Sequence, residues 1–190
     1  IFSFCEDVVG WIHGGLGHVN IMTSILFAGM SGSSVADVAS IGALCANAMI
    51  RSGYPSPYAW GTTLASSMLA SVIPPSILMV VAASVAQVSM GQALFAGTIP
   101  GVFLGLVMMV YNYFYCKKHG IGHRIPFNGG RLWKSFKRAL PALMVPVILL
   151  GGMYTGYFTS TEAAAICVLY TLIVSMVVYK KLTFKDLPGI

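Results

Sequence analysis

The feature that most constrains this chain is a long run without charge. No Asp, Glu, Lys or Arg occurs from Ser52 to Cys116, whereas a soluble domain needs a charged shell around its core. Over the whole chain only 8% of residues are charged, 57% are hydrophobic and the mean hydropathy is +0.82. This composition is typical of integral membrane proteins, whose apolar helices face lipid. We therefore predict an all-α integral membrane protein and exclude a soluble helical domain.

The net charge of +6 does not indicate a nucleic-acid partner, because the basic residues are clustered. Seven of the eleven lie in 117–138 and three more in 180–185. Basic segments beside apolar spans follow the positive-inside rule of membrane proteins. The four cysteines are far apart and form no CxxC pair. We interpret them as buried apolar residues, and we expect neither a cofactor nor a cysteine metal site.

Residues 19–50 combine two short apolar arms with a polar interruption. As a helix, each arm would rise only about 16 to 24 Å, whereas the hydrocarbon core of a bilayer is about 30 Å thick. This length predicts a re-entrant helical hairpin. Its glycine- and serine-rich tip, 29–34, must lie in protein or in a cavity, because unpaired backbone groups that face lipid are costly.

Asp37 follows this tip and has two interpretations. A carboxylate at membrane depth indicates a functional role by default. Ser34 and Asp37 also have the spacing of a helix capping box, in which the carboxylate would lie near the positive end of the helix. Capping does not exclude function, so both interpretations stay open.

A proline pair interrupts the helix predicted at 57–88. Pro74 and Pro75 remove two backbone donors and clash with the preceding turn, so the helix must break there. One interpretation is a simple kink in which nearby serines bond back to the helix. The other is that carbonyl oxygens freed upstream, from Ala70 to Ile73, act as ligands, as in the discontinuous helices of secondary transporters.

Three further apolar segments predict membrane-spanning helices at 94–115, 139–158 and 162–179. The basic segment 116–138 is predicted to be a cytoplasmic loop with a short amphipathic helix around Trp133. Thr159 and Glu162 have capping-box spacing, and we interpret Glu162 as a structural cap.

Three stretches of the sequence resemble the large membrane subunit of tripartite ATP-independent periplasmic (TRAP) transporters. They are GGLGHVNIMTSILFAGMSGSSVADVASIG (14–42), GYPSPYAWGTTLASSMLASVIPPSILM (53–79) and GGMYTGYFTSTEAAA (151–165). The resemblance covers essentially the whole chain and implies a fragment holding the N-terminal half of that subunit. The implied architecture is one half of an inverted-repeat, elevator-type transporter. The implied activity is sodium-coupled import of carboxylate solutes such as C4-dicarboxylates or sialic acid.

The resemblance also implies where ligands bind. Sodium ligands would come from the hairpin tip and the helix break: Ser31, Ser33, Asp37, Ala70, Ile73 and Pro75. Hydroxyl and carbonyl oxygens suit a hard cation such as sodium, which is the only metal ion that we expect. Substrate-binding residues would be Ser34, Ser66, Ser67 and Ser76. The helix N-terminus at Ser34 suits an anionic group.

The implied setting is the inner (cytoplasmic) membrane of a bacterium or an archaeon, crossed several times. The implied partners are a small TRAP membrane subunit, a periplasmic solute-binding protein, the carboxylate substrate and the lipid bilayer.

Two other functions fit parts of the sequence. Residues 29–32 match the GxSG motif of rhomboid-type intramembrane proteases, but a serine nucleophile needs a positioned base and none of the later apolar segments contains histidine. A channel would also use a re-entrant segment, although a serine-rich tip paired with a Pro-Pro-broken helix suits alternating access better. We therefore expect a transporter and not an enzyme.

Overall fold

The computed structural model describes residues 1–122, 129–155 and 157–179, and the regular structure in those ranges is helical. The α-helices are α1 (Phe2–Val9), α2 (Gly15–Ser31), α3 (Ser34–Asp37), α4 (Ala43–Arg51), α5 (Ser56–Ser67), α6 (Ile77–Val85), α7 (Met90–His119), α8 (Gly129–Tyr154) and α9 (Ser160–Ile173). Two π-helical turns, Val38–Gly42 and Val174–Val178, and a 3-10 turn, Met68–Ser71, accompany them. The all-α prediction is confirmed for the described residues.

Three helices are long and apolar enough to cross a membrane: Met90–His119, Gly129–Tyr154 and Thr161–Val178. With 30 residues, α7 rises about 45 Å, which exceeds the hydrocarbon thickness of about 30 Å. By length and composition, these helices support the prediction of a multi-pass membrane protein.

The helices around the basic segment extend further than predicted. The sequence predicts a loop over 116–138, but α7 continues to His119 and α8 begins at Gly129. Two lysines lie in the last turn of α7, where the helix dipole favours cations, and Gly120 closes the helix in a left-handed conformation. The loop is therefore shorter than predicted, the short helix predicted around Trp133 lies within α8, and the middle of the segment, 123–128, lies outside the described residues.

The last two predicted spans also differ from the structure in their bounds. The predicted span 139–158 forms the second part of α8, which ends at Tyr154, and residue 156 lies outside the described residues. The predicted span 162–179 corresponds to α9 and the π turn that ends at Val178. Thr159 caps α9 in a reciprocal capping box with Glu162, as predicted. The basic residues in 180–185 lie outside the described residues.

The chain divides into two compact units, 1–139 and 140–190. At the centre of the first unit, α2 packs against α1, α4, α5 and α7. A two-residue turn, Gly32 and Ser33, joins α2 to the helical segment made of α3, the π turn and α4. We call residues 15–51 the hairpin and this connection the tip turn. The arms have 17 and 18 residues and rise about 26 and 27 Å. The hairpin begins at Gly15, four residues before the predicted start at 19.

A second interruption lies in the same unit. α5 ends at Ser67, a 3-10 turn follows, and α-helical structure resumes only at Ile77. We call residues 68–76 the helix break. Pro74 and Pro75 cannot donate to a helix, and Ser76 starts the next one by accepting a hydrogen bond from the N–H of Met79 at 3.3 Å.

The second unit is a helix pair. The hydroxyl of Tyr170 on α9 donates to the carbonyl of Pro141 on α8 at 3.0 Å. Cys167 packs nearby, with its sulfur 3.7 Å from the carbonyl oxygen of Val145. These contacts join α9 to the proline-containing part of α8.

Candidate functional site

The tip turn lies directly against the helix break. The carbonyl of Gly32 accepts a hydrogen bond from the N–H of Ile77 at 3.2 Å. A Cβ atom at Gly32 would collide with the carbonyl oxygen of Pro75, and the φ of Gly32, +60°, is in the left-handed region that favours glycine. Glycine is therefore required here for two independent reasons, and the contact brings the two non-helical segments together.

This contact gathers four helix ends. At the tip turn α2 ends and α3 begins, and at the helix break the 3-10 turn ends and α6 begins. The last turn of a helix presents unpaired carbonyl oxygens and the first turn presents unpaired N–H groups. Two ends therefore carry partial negative charge and two carry partial positive charge. The site can offer oxygen ligands to a cation and N–H donors to an anion.

Ser31 and Ser33 shape the tip turn. The Ser33 N–H lies 3.4 Å from the Ser31 hydroxyl oxygen, and the Ser33 hydroxyl accepts from the N–H of Ala36 at 3.4 Å. Ser33, and not Ser34, is thus the N-cap of α3. The predicted capping box of Ser34 and Asp37 is wrong by one residue, because the left-handed Gly32 ends α2 later than the composition suggests.

Asp37 is completely buried, one turn into the second arm of the hairpin. Neither carboxylate oxygen has a hydrogen-bond partner among the described residues. The hydroxyl of Ser24 is a close neighbour, although it is not in hydrogen-bonding geometry with the carboxylate. A buried carboxylate without a partner is costly unless a proton or a cation accompanies it. This arrangement favours the functional interpretation of Asp37 over the capping interpretation.

Asp37 belongs to a buried polar layer, which it meets at Ser24. Its members lie on α2, α3 and α5 and are buried: Asn20, Thr23, Ser24, Asp37, Thr63 and Ser66. The amide of Asn20 donates to the Thr63 hydroxyl at 2.7 Å, and the hydroxyl oxygens of Ser24 and Ser66 are 3.1 Å apart. The Oδ1 atom of Asn20 and the Oγ1 atom of Thr23 have no partner among the described residues. The layer therefore offers oxygen atoms that are still without donors.

Ala70 and Ile73 can contribute only backbone oxygens. Their side chains belong to an apolar cluster with Ile21, Ala28 and Leu69. Helix α7 supports this part of the helix break closely, since a Cβ atom at Gly97 would lie 2.6 Å from the carbonyl oxygen of Val72. The predicted sodium residues thus lie in three places: Ser31 and Ser33 beside the tip turn, Ala70, Ile73 and Pro75 in the helix break, and the buried Asp37. The tip turn contacts the helix break at Pro75.

The four predicted substrate residues do not form one group. Ser34 and Ser67 line the same open surface depression, whose other lining is mainly aliphatic and includes the exposed Val35 and Leu64. Ser66 faces α2 in the buried polar layer, and Ser76 donates to the carbonyl of Ser71 at 2.7 Å. The hydroxyl of Ser67, which is 2% exposed, donates to the carbonyl of Leu64 at 2.8 Å. Ser66, Ser67 and Ser76 are therefore engaged in the scaffold, and of the four only Ser34 is placed to contact a small solute.

Sequence reasoning missed the buried polar centre formed by Asn112 in the first unit. The Asn112 amide on α7 donates to the carbonyl of Gly14 at 3.1 Å and accepts from the hydroxyl of Tyr58 at 2.9 Å. It joins α7 and α5 to the start of α2. Asn112 is the single Asn, Gln or charged residue in 94–115, and this isolation is the signal that could have found it.

The protease alternative gains no support at Ser31. The buried histidine of the hairpin, His18, lies near the start of α2 and contacts the carbonyl of His13 at 3.1 Å. Ser31 is the last residue of the same helix, about 20 Å away by helical rise. His18 is therefore far beyond the hydrogen-bonding distance that general-base activation requires.

Comparison with known proteins identifies the family. The family model described as "Tripartite ATP-independent periplasmic transporter, DctM component" matches residues 1–190. The chain is 43% identical over 185 residues to the sialic acid TRAP transporter large permease protein SiaM of Vibrio cholerae, covering 97% of this chain and 43% of that protein.

Two further relatives have similar identity. The sialic acid TRAP transporter permease protein SiaT of Haemophilus influenzae is 39% identical over 187 residues, covering 98% of this chain and 30% of that protein. The C4-dicarboxylate TRAP transporter large permease protein DctM of Pseudomonas aeruginosa is 38% identical over 191 residues, covering 100% of this chain and 44% of that protein.

These relatives are transporter permeases, and the chain spans less than half the length of each of the three. The family match extends over every motif from which the resemblance was stated, including the hairpin and the helix break. The chain therefore belongs to the DctM family of large permease subunits of TRAP transporters.

Proposed function

We propose that this chain carries a cation site of a sodium-coupled, binding-protein-dependent TRAP importer of carboxylate solutes. The observation that carries the proposal is the contact of Gly32 with Pro75 and Ile77, which gathers two carbonyl-bearing helix ends at one place. Sodium would be coordinated by oxygens of Ser31 and Ser33 and by the carbonyls of Ala70, Ile73 and Pro75.

Asp37 would supply the negative charge that favours the cation. Its carboxylate is buried and has no described partner, so a positive charge close to it removes an electrostatic penalty. The hydroxyl and amide oxygens of the buried polar layer would extend this environment. In this arrangement the hairpin is a re-entrant segment whose tip is at membrane depth, and the Pro-Pro-broken helix is its counterpart.

A carboxylate solute is favoured by the two helix beginnings at the same place. The first turns after Ser33 and Ser76 present N–H groups and partial positive charge. The open depression that Ser34 lines is adjacent to the first of these turns. The names of the three relatives described above specify sialic acid and C4-dicarboxylates, which are carboxylates. Sodium bound at the carbonyl ends would reduce repulsion between the solute and Asp37.

The complete transporter would contain a second, inverted half, a small membrane subunit and a periplasmic solute-binding protein, in a bacterial or archaeal inner membrane. The site would then be carried across the bilayer by an elevator-type movement, with the three long helices among the spans of the protein.

The test is uptake of labelled sialic acid and of labelled succinate into proteoliposomes. The vesicles contain the full-length permease with its small subunit, and the binding protein is added outside. We expect uptake of one class of carboxylate that needs both an inward sodium gradient and the binding protein. Uptake that continues when either is omitted would contradict the proposal, and ionic current without sodium coupling would indicate a channel.

A further inference from the structure

Helix α7 presents glycine residues to the helix break. Its buried residues are spaced by three, four or seven positions, so they share one face of the helix: Leu94, Gly97, Gly101, Gly105, Asn112 and Cys116. Three successive turns of this face therefore carry glycine. Glycine is less favourable than alanine in the interior of a helix, so its repeated use here indicates that another part of the chain comes close to the backbone of α7.

Gly101 lies against Ile73 in the helix break. A Cβ atom at position 101 would lie 2.5 Å from the Cγ1 atom of Ile73, 3.4 Å from its backbone nitrogen and 3.5 Å from its Cα. Cγ1 is bonded to the branch point of a β-branched side chain with restricted χ1 rotation, so it cannot move aside as the end of a long side chain can. The helix approaches Ile73 this closely because position 101 has no side chain.

Gly97 makes a similar contact one turn earlier, and Gly105 does not. A Cβ atom at position 97 would lie 2.6 Å from the carbonyl oxygen of Val72, which cannot move unless the backbone of the break moves. A Cβ atom at position 105 would lie 2.6 Å from Cδ1 of Ile25, the end of a side chain on α2 that can rotate away. The first two glycines thus contact the break, whereas the third contacts a flexible group.

The break has carbonyl groups that lack their helical donors. In a continuous helix the N–H of Ile77 would donate to the carbonyl of Ile73, but it donates to the carbonyl of Gly32 instead. The residue that would donate to the carbonyl of Ala70 is Pro74, which has no N–H. Helical hydrogen bonds therefore do not fix the direction of these two carbonyls, and the helix packed behind the break can do so.

We propose that Gly101 and Gly97 are positioning residues of the sodium site, which fix the break carbonyls by letting the backbone of α7 pack directly against Ile73 and Val72. They act through these residues and not through contact with sodium. A carbon inserted at 2.5 Å must separate by about 1 Å to reach an ordinary contact, whereas a binding site tolerates displacements of about 0.5 Å. This inference rests on the proposed function, because it concerns the same cation site.

The test compares Gly101→Ala with Gly105→Ala in the full-length permease, purified with its small subunit. Both variants add one methyl group to the same face of α7, but only the first meets the helix break at Ile73. Isothermal titration calorimetry measures the sodium Kd, and the melting temperature in sodium-free buffer measures stability without the ion. We expect the Kd to rise at least about tenfold in Gly101→Ala, because its ligands are displaced, and to stay at the wild-type value in Gly105→Ala.

A second substitution separates positioning from general packing. Ile73→Ala removes the Cγ1 atom that the new methyl group would meet but keeps the carbonyl group. Gly101→Ala/Ile73→Ala should therefore recover sodium binding relative to Gly101→Ala. Its melting temperature in sodium-free buffer should still be lower than that of wild type, because a large side chain is lost from the apolar cluster. Recovered affinity in a less stable protein is a result that a general packing role does not produce.

Gly97→Ala is measured beside Gly101→Ala, so the inference stays testable if one of these variants does not fold. It should also raise the sodium Kd, since it displaces the Val72 carbonyl. The inference alone is overturned if wild type binds sodium and a folded variant at position 97 or 101 binds it equally tightly, if Gly105→Ala weakens binding as much, or if the double variant does not recover binding. Absence of sodium binding in wild type would overturn the proposed function and this inference with it.

Discussion

Gly32→Ala should separate the tip turn from the helix break. Alanine in the left-handed region costs about 1 to 2 kcal/mol, and the new Cβ would collide with the Pro75 carbonyl oxygen. The tip turn must then move, and the hydrogen bond between Ile77 and Gly32, worth about 1 kcal/mol, is lost. We expect the free energy of unfolding to fall by about 2 to 3 kcal/mol in total.

Gly53→Ala is the matched control for the backbone strain. Gly53 also has a left-handed φ, +86°, but no described atom lies within 4 Å of the position of its Cβ. The free energy of unfolding of Gly53→Ala should therefore fall only by the cost of the left-handed backbone, about 1 to 2 kcal/mol. The difference in free energy of unfolding between Gly32→Ala and Gly53→Ala isolates the contact with Pro75.

Sodium binding provides the functional readout of this comparison. A site that is filled at ten times its Kd stabilises the folded protein by about 1.4 kcal/mol, and a tenfold weaker site leaves about 0.4 kcal/mol. Thermal unfolding of the full-length permease with and without sodium measures the stabilisation by sodium. We expect about 1.4 kcal/mol for wild type and for Gly53→Ala and about 0.4 kcal/mol for Gly32→Ala. Full sodium stabilisation in Gly32→Ala would refute the assignment of the site to the tip turn and the helix break.

Three other substitutions test separate parts of the account. Asp37→Asn should weaken sodium binding at least about tenfold without lowering the free energy of unfolding, because it removes a buried charge that has no described partner; a large loss of folded protein in sodium-free buffer would contradict this. Thr63→Val should lower the free energy of unfolding by about 1 kcal/mol, because it removes the 2.7 Å hydrogen bond that Asn20 donates to Thr63. An unchanged midpoint of unfolding in detergent would argue against a stabilising role for the buried polar layer. Thr159→Ala should destabilise the start of α9 by about 0.5 to 2 kcal/mol, because it removes the cap of that helix. Amide hydrogen exchange should become faster in the first turn of α9 but not in α2.

Local rules account for the parts of the fold that could be predicted. The apolar spans follow from composition, and the capping box at Thr159 and Glu162 follows from the spacing of two residues. The proline pair was recognisable because proline lacks the N–H that a helix needs. In these cases the cause and its effect lie within a few residues of each other.

The register of the hairpin tip depends on a contact distant in sequence. The composition of 29–34 indicates a break but does not say which residue ends the helix. Packing against Pro75 and Ile77 places glycine at position 32, and Ser33 then becomes the cap. The Ser34 and Asp37 spacing therefore gave a plausible capping box that the structure does not contain.

The buried polar contacts could not be paired from the sequence either. Asn20 and Thr63 lie 43 residues apart, and Tyr58 and Asn112 lie 54 residues apart. A polar residue in an apolar run indicates that a partner exists, but only the packing of α2, α5 and α7 says which one. The same holds for Asp7 and Arg131, which join α1 to α8.

The most direct test of the central claim is simultaneous measurement of sodium-22 and labelled solute uptake in the same proteoliposomes, with the full-length permease, its small subunit and its binding protein. The account predicts that solute addition drives sodium-22 uptake in wild type and in Gly53→Ala, and that both fluxes fall together in Gly32→Ala. Solute uptake without sodium-22, or coupled uptake that Gly32→Ala leaves intact, would contradict a sodium site formed by the tip turn and the helix break.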